Sequence, residues 1–194
     1  MRKLTHAGIK ELREYERERE AFRAEIIAMK KRRRVALGDL MTIVFENAAT
    51  MRFQVQEMAR AERMLRDEQI AHELETYNEL IAADGELSGT LFIEIDDQQA
   101  LQYWLPRLTG IQDHVHFDVA GSRVTAHEED LERLTREETI TTTVHYVKFG
   151  PFTPEQQAAF VDGPVRIVVD HPEYEADVTL TDEQRDELVG DFAA

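Results

Sequence analysis

The first 33 residues constrain the fold of this chain most, because apolar side chains recur there at heptad spacing. Strong helix formers dominate from Thr5, a predicted N-cap, to about Arg33. The seam positions are Leu12, Tyr15, Phe22, Ile26 and Met29, with Arg19 completing the register. This pattern predicts one long amphipathic helix. Its seam would be exposed unless it packs on a sheet, so we expect self-association, as a homodimer, through it.

Charge is divided unequally along the chain. Residues 1–66 carry 16 Lys and Arg against 10 Asp and Glu, whereas residues 67–194 carry 7 against 29. The predicted helix closes on five consecutive cations: Lys30, Lys31, Arg32, Arg33 and Arg34. A concentrated patch of one sign on a body of the other predicts a docking surface, here for an acidic protein partner.

Two other interpretations of the basic run stay open. The five cations can pair with the chain's own acidic half or with that of a second copy. They can also neutralise nucleic-acid phosphates, but the run has no interleaved aromatic residues and the net charge of -16 opposes a long polyanion.

Downstream, the pattern alternates between strands and short helices. We expect a β-hairpin from residues 40–45 and 51–56 around a turn at 46–49, then helical stripes containing Met58 and Ile70, with Asp67 as a cap. Further strands are predicted at residues 87–95, 115–119, 123–125, 140–149, 165–169 and 176–180. Short helices are predicted at 98–108, from Pro154 to near Gly163, and at 181–192, with a mobile loop or helical turn at 126–138.

This order predicts an α+β fold with a long N-terminal helix, a β-hairpin and helix, and then a mainly antiparallel sheet with short helices. No long βαβ crossover is evident. We expect a single domain over residues 1–194, with a helix-hairpin-helix part at 1–84 and an acidic sheet part at 85–194.

A polar row accompanies the predicted strand at 51–56. Arg52, Gln54 and Gln56 alternate with Met51, Phe53 and Val55, and Glu57 follows. Arg52, Gln54, Gln56 and Glu57 are a candidate polar site, since such a row needs a ligand or partner chain if it is buried. An exposed row would be the ordinary outer face of a hairpin.

Three histidines are candidate metal ligands. His114 and His116 alternate with Asp118 on one strand face, and His145 approaches them if the strand at 140–149 pairs with theirs. This arrangement defines the alternative function, a metal-binding protein or metal-dependent enzyme holding a divalent metal. The sequence contains no His-Glu-x-x-His or Glu-x-x-His motif, and a solvated sheet face with ordinary histidines explains the same pattern.

The amino-acid composition excludes several classes of site and activity. The chain has no cysteine, which excludes disulfides, thiolate zinc sites and cysteine-ligated iron-sulfur clusters. It has no phosphate-binding glycine loop, and its two serines, Ser88 and Ser122, are not in a nucleophile elbow. No catalytic residue or cofactor is therefore predicted. The polar N-terminus and the lack of a long apolar run lead us to expect a cytoplasmic protein without a membrane span.

Four stretches carry a resemblance to a known family: residues 31–39, 44–47, 52–58 and 169–172. In them the chain resembles an uncharacterised bacterial family, known as a domain of unknown function of about this length. The resemblance spans nearly the whole chain. Genes of that family often lie beside genes for rubrerythrin-like proteins and iron-sulfur oxidoreductases. The resemblance thus implies an accessory role in oxidative-stress defence or electron transfer, with such an enzyme as the acidic partner.

Overall fold

The computed structural model describes residues 3–128 and 141–193. Its helices are α1 (Leu12–Arg32), α2 (Ala48–Ala61), α3 (Asp67–Glu79), α4 (Gln98–Trp104), α5 (Pro154–Asp162) and α6 (Asp182–Val189). Its strands are β1 (Arg34–Leu37), β2 (Met41–Glu46), β3 (Leu87–Ile93), β4 (Val115–Val119), β5 (Ser122–Glu128), β6 (Val144–Phe149), β7 (Val165–His171) and β8 (Tyr174–Thr179).

The strands form one eight-stranded sheet in the order β1-β2-β3-β6-β5-β4-β7-β8, and every neighbouring pair is antiparallel. β5 pairs with β4 through residues 122–125 and with β6 through residues 126–128. The sheet is nearly closed, because the Tyr174 hydroxyl on β8 donates to the Leu37 carbonyl on β1 at 2.6 Å. The predicted mixed fold with a mainly antiparallel sheet is therefore confirmed.

The inner face of this sheet is filled by aromatic rings. Phe117 on β4 lies at the centre, with ring centroids 5.7 Å from Phe45, 4.8 Å from Phe149, 5.6 Å from Phe152 and 5.6 Å from Phe160. Strand residues alternate across the sheet, and the residues of β4 and β7 that point into this core are Val115, Phe117, Val119, Val165, Ile167 and Val169.

The helices α1, α2 and α3 pack against one another in sequence, beside the sheet. Tyr15 and Ile26 of the α1 seam are buried, and the Phe22 ring meets Phe53 of α2 edge-on at 5.6 Å. The rest of the chain therefore covers the heptad seam. The expected exposure of this seam is wrong, because its side chains already have intramolecular contacts, and the seam therefore gives no reason to expect a homodimer.

The predicted strand at residues 51–56 is also wrong, because these residues belong to α2. Asn47 and Thr50 form a reciprocal capping box, so the predicted turn at 46–49 starts a helix. Met51, Val55 and Ala59 are buried at a spacing of four, which is one helical face. The hairpin instead joins β1 to β2 through a turn at Gly38, whose φ of +71° favours glycine.

Smaller differences concern element ends. Thr5 precedes a short 3₁₀ turn rather than capping α1, which begins at Leu12. Residues 126–128, predicted as loop or helical turn, extend β5, and β6 begins at Val144 rather than at 140. The remainder of the predicted 126–138 segment lies outside the described residues. Residues 1–84 and 85–194 share one sheet, because β2 pairs with β3.

Candidate functional site

The basic run is divided between the core and the surface. Arg33 follows α1 directly and its side chain is only 1% exposed. Its Nε donates to the Phe45 carbonyl at 2.8 Å, and its guanidinium also contacts the carboxylates of Asp191 and Glu187. Burial raises the pKa of Asp191, although the charge of Arg33 acts against that shift. The expectation that the whole run faces outward is therefore wrong for Arg33.

Three other members of the run also have intramolecular partners. Lys30 lies 3.2 Å from Glu46, Arg32 lies 2.8 Å from Glu187, and Arg34 pairs with Glu94. Arg32 and Arg34 remain partly exposed in these pairs. Exposed pairs of this kind contribute little stability, so a partner can exchange with them at small cost.

Lys31 is the exposed member of the run for which the described residues supply no carboxylate within ion-pair distance. It borders a groove of about 590 Å³ on the outer face of the second half of α1, which we call the α1 groove. Its lining comprises Glu20, Arg23, Ala24, Ile27, Ala28, Lys31, Arg32 and Glu183. Ile27 is 41% exposed there, and Arg23 and Glu20 are exposed beside it. The groove thus combines an apolar centre with charged ends.

The structure disperses the predicted polar row around α2. Gln56 is buried, accepting from the Lys10 amide and donating to the Lys10 carbonyl, both at 2.9 Å. Arg52 lies over the Phe22 ring at 4.9 Å, and Gln54 is half-buried. Arg52 and Gln56 also line a cleft of about 510 Å³ between α1 and α2.

Glu57 joins α1 to α2. Its carboxylate accepts from Arg19 through two bonds of 2.8 Å and from the Tyr15 hydroxyl at 2.6 Å. The bonds from Arg19, followed by that from Tyr15, lower the pKa of Glu57 in opposition to burial. Burial of Tyr15 and its bond to Glu57 raise the pKa of the phenol. The polar groups of Gln56 and Glu57 therefore form hydrogen bonds within the chain.

Glu57→Gln is expected to lower the free energy of unfolding by about 1 to 2 kcal/mol at neutral pH, because it removes charge-assisted bonds. Since the folded-state pKa lies below the ordinary value of 4.5, the contribution of Glu57 is complete above that value and is lost as the pH falls through the lowered pKa. Urea unfolding between about pH 7 and pH 3 should show the gap between wild type and variant closing on acidification. Glu62→Gln, at an exposed position after α2, is the matched control. A gap that does not change with pH would contradict this role.

The three candidate histidines do not converge. β5 lies between β4 and β6, so His145 is separated from His114 and His116 by a whole strand. The strand pairing on which the approach of His145 depended is therefore not formed. His114 Nδ1 lies 3.4 Å, and His116 Nδ1 3.9 Å, from the Asp170 carboxylate on β7.

Asp170 is engaged by a guanidinium as well as by these histidines. Arg123 donates to it at 2.8 Å. Burial, followed by Arg123, lowers the pKa of His116, while Asp170 acts in the opposite direction. Within residues 3–128 and 141–193, no group of three or more His, Asp or Glu side chains is arranged to hold a metal ion.

His145 belongs to a separate buried network. Its Nδ1 lies 2.8 Å from Glu128 Oε1, and its Nε2 lies 2.9 Å from the Thr141 hydroxyl and 3.1 Å from the Thr142 carbonyl. Both ring nitrogens lie within hydrogen-bond distance of oxygen atoms, and these contacts tie the end of β5 to the residues that precede β6.

The sequence did not single out the acids that pair with the basic run: Glu46, Glu94, Glu187 and Asp191. The only signal in the sequence was the acidic character of residues 181–192. With 39 acidic residues along the chain, no single one could be identified as a partner of the basic run.

In the described part of the chain, no helix is both long enough and apolar enough to cross a membrane.

Comparisons with known proteins describe a family without an assigned activity. No curated protein matches the chain. A crystal structure of a protein of unknown function from Burkholderia pseudomallei has 31% sequence identity and a TM-score of 0.90, covering 98% of this chain and 99% of that one. The family model described as "protein of unknown function (DUF3501)" matches residues 3–192. With nearly its whole length matched, the chain belongs to the DUF3501 family of proteins of unknown function.

Proposed function

We propose that this is a non-catalytic interaction protein that binds another protein through the α1 groove. The observation that carries the proposal is the exposed Ile27 between the cations Arg23 and Lys31. Among residues 3–128 and 141–193, no carboxylate lies within ion-pair distance of Arg23 or Lys31. The other four cations of the run all have such a partner: Lys30, Arg32, Arg33 and Arg34.

The partner's chemistry follows from this lining. An apolar side chain would cover Ile27, and carboxylates would face Arg23 and Lys31. Arg32 can add to the contact, because its pair with Glu187 is partly exposed and therefore exchangeable. An acidic redox enzyme, the partner implied by the family resemblance, would supply the carboxylates that face Arg23 and Lys31.

Site-specific photo-crosslinking in cells that naturally make the protein tests the proposal. A photoreactive phenylalanine analogue at position 27 should form protein adducts, because that position lies at the centre of the proposed contact. The matched control is position 161 on α5, where Val161 is 47% exposed against 41% for Ile27. Adding Lys31→Glu should reduce the adducts from position 27, since it repels the partner's carboxylates. Equal yields from both positions, or yields insensitive to Lys31→Glu, would refute the proposal.

A further inference from the structure

A symmetrical stripe of four exposed residues runs along the α1 groove. Glu20, Ala24, Ile27 and Lys31 are spaced by four, three and four residues, which places them on one face of α1. This spacing reads the same in both directions along the helix. When the helix is turned end over end, Glu20 takes the place of Lys31 and Ala24 takes the place of Ile27.

We infer that the partner of the α1 groove is a second copy of this chain, docked with the two α1 helices antiparallel. This inference rests on the function proposed above and names its partner. A two-fold axis between residues 25 and 26 sets Glu20 of each protomer opposite Lys31 of the other, giving two ion pairs. The same axis sets Ile27 of each protomer against Ala24 of the other.

Packing supports the pairing. An isoleucine projecting over an alanine places a large side chain into the space left by a small one, which is how ridges and grooves of packed helices interlock. The exposed area of Ile27 then becomes buried in both protomers, and Ala24 offers no bulk to prevent close approach. The contact is isologous, so it closes after two copies.

The charged residues of the α1 groove also favour a second copy as its partner. The groove carries two carboxylates, Glu20 and Glu183, beside three cations, Arg23, Lys31 and Arg32, so its signs are mixed rather than uniformly positive. A uniformly acidic surface would meet two carboxylates there, whereas a second copy presents a carboxylate opposite Lys31 and an ammonium opposite Glu20. The overall charge of -16 repels a second copy at long range, but physiological salt screens charges more than about 8 Å apart.

The contact of one helix face is smaller than the roughly 800 Å² per partner of a standard stable interface. The dimer should therefore be concentration-dependent, half-formed at roughly 10 to 100 µM. Sedimentation velocity of the full chain over roughly 1 to 200 µM, at physiological ionic strength, measures it directly.

Charge reversal makes the test specific. Glu20→Lys and Lys31→Glu should each weaken self-association by at least about tenfold, because each variant places like charges opposite one another twice. An equimolar mixture of the two variants should associate like wild type, since every contact in the mixed dimer is again an opposite-charge pair. Both side chains are exposed, so the melting temperature should stay close to that of wild type.

The outcomes separate this inference from the proposed function. A wild-type chain that stays monomeric throughout, or single variants that associate as wild type does, overturns the second-copy partner. Adducts from position 27 at a mass other than twice that of the chain would likewise assign the groove to a different protein while sustaining the interaction function. Absence of any adduct from position 27, together with a monomeric wild type, overturns both.

Discussion

Arg33→Met should destabilise the protein by about 3 to 5 kcal/mol, a fall of roughly 6 to 20 °C in Tm. The substitution keeps an unbranched side chain in place but removes a guanidinium that is 1% exposed. It leaves the Asp191 carboxylate buried without its cation, and the carbonyls of Phe45 and Glu46 without their side-chain donor. Uncompensated buried charge and unsatisfied acceptors are among the largest known costs of a single substitution. Urea unfolding gives the free energy.

The neighbouring arginine provides the control. Arg32→Met makes the same chemical change at a partly exposed side chain, and it should cost less than about 1 kcal/mol. Adding Asp191→Leu to Arg33→Met should recover part of the loss, because it removes the stranded carboxylate. Equal costs for the two methionine variants would contradict the buried role of Arg33.

The burial of Arg33 excludes it as a position for testing docking through the basic run. Charge reversal at Arg32 and Arg33 together would unfold the chain through Arg33, so loss of binding would be uninformative. Lys31→Glu changes the same surface without touching a buried group, so a loss of binding in that variant reports on docking.

The sequence predicted most of the elements because their patterns are local. Strand alternation located β3, β4, β7 and β8, and Pro154 located the start of α5. The strand prediction for residues 51–56 was wrong because Met51, Phe53 and Val55 alternate as in a strand, while Met51 and Val55 also share a helical face. The capping box at Asn47 starts a helix and so favours α2 over a strand. In the sequence, the residues of this box resembled a turn.

The candidate site was less predictable because it depends on long-range pairing. The separation of His145 from His116 follows from β5 lying between their strands, which no local pattern encodes. The burial of Arg33 depends on Asp191, 158 residues later in the chain. The heptad seam correctly marked the apolar side of α1, but only the fold showed that α2 covers this side and leaves the opposite, charged stripe exposed.

Phe117→Ala is expected to cost about 3 to 5 kcal/mol, since it opens a cavity at the centre of the aromatic core. Phe117 is fully buried, and its ring contacts those of Phe45, Phe149, Phe152 and Phe160. These rings come from β2, β6, α5 and the segment before α5, so the cavity would weaken contacts between several elements. Chemical unfolding measures the loss, and near-ultraviolet circular dichroism reports whether the remaining rings stay ordered.

Phe117→Leu distinguishes lost volume from lost ring contacts. Leucine retains much of the buried apolar surface, so if cavity formation dominates, this variant should cost about 1 to 2 kcal/mol. A leucine variant as unstable as the alanine variant would instead show that edge-to-face contacts between rings carry the stability. Neither substitution reaches the α1 groove, so a folded Phe117→Leu protein should crosslink from position 27 as the wild type does. Core packing and partner binding are thereby separated within one fold.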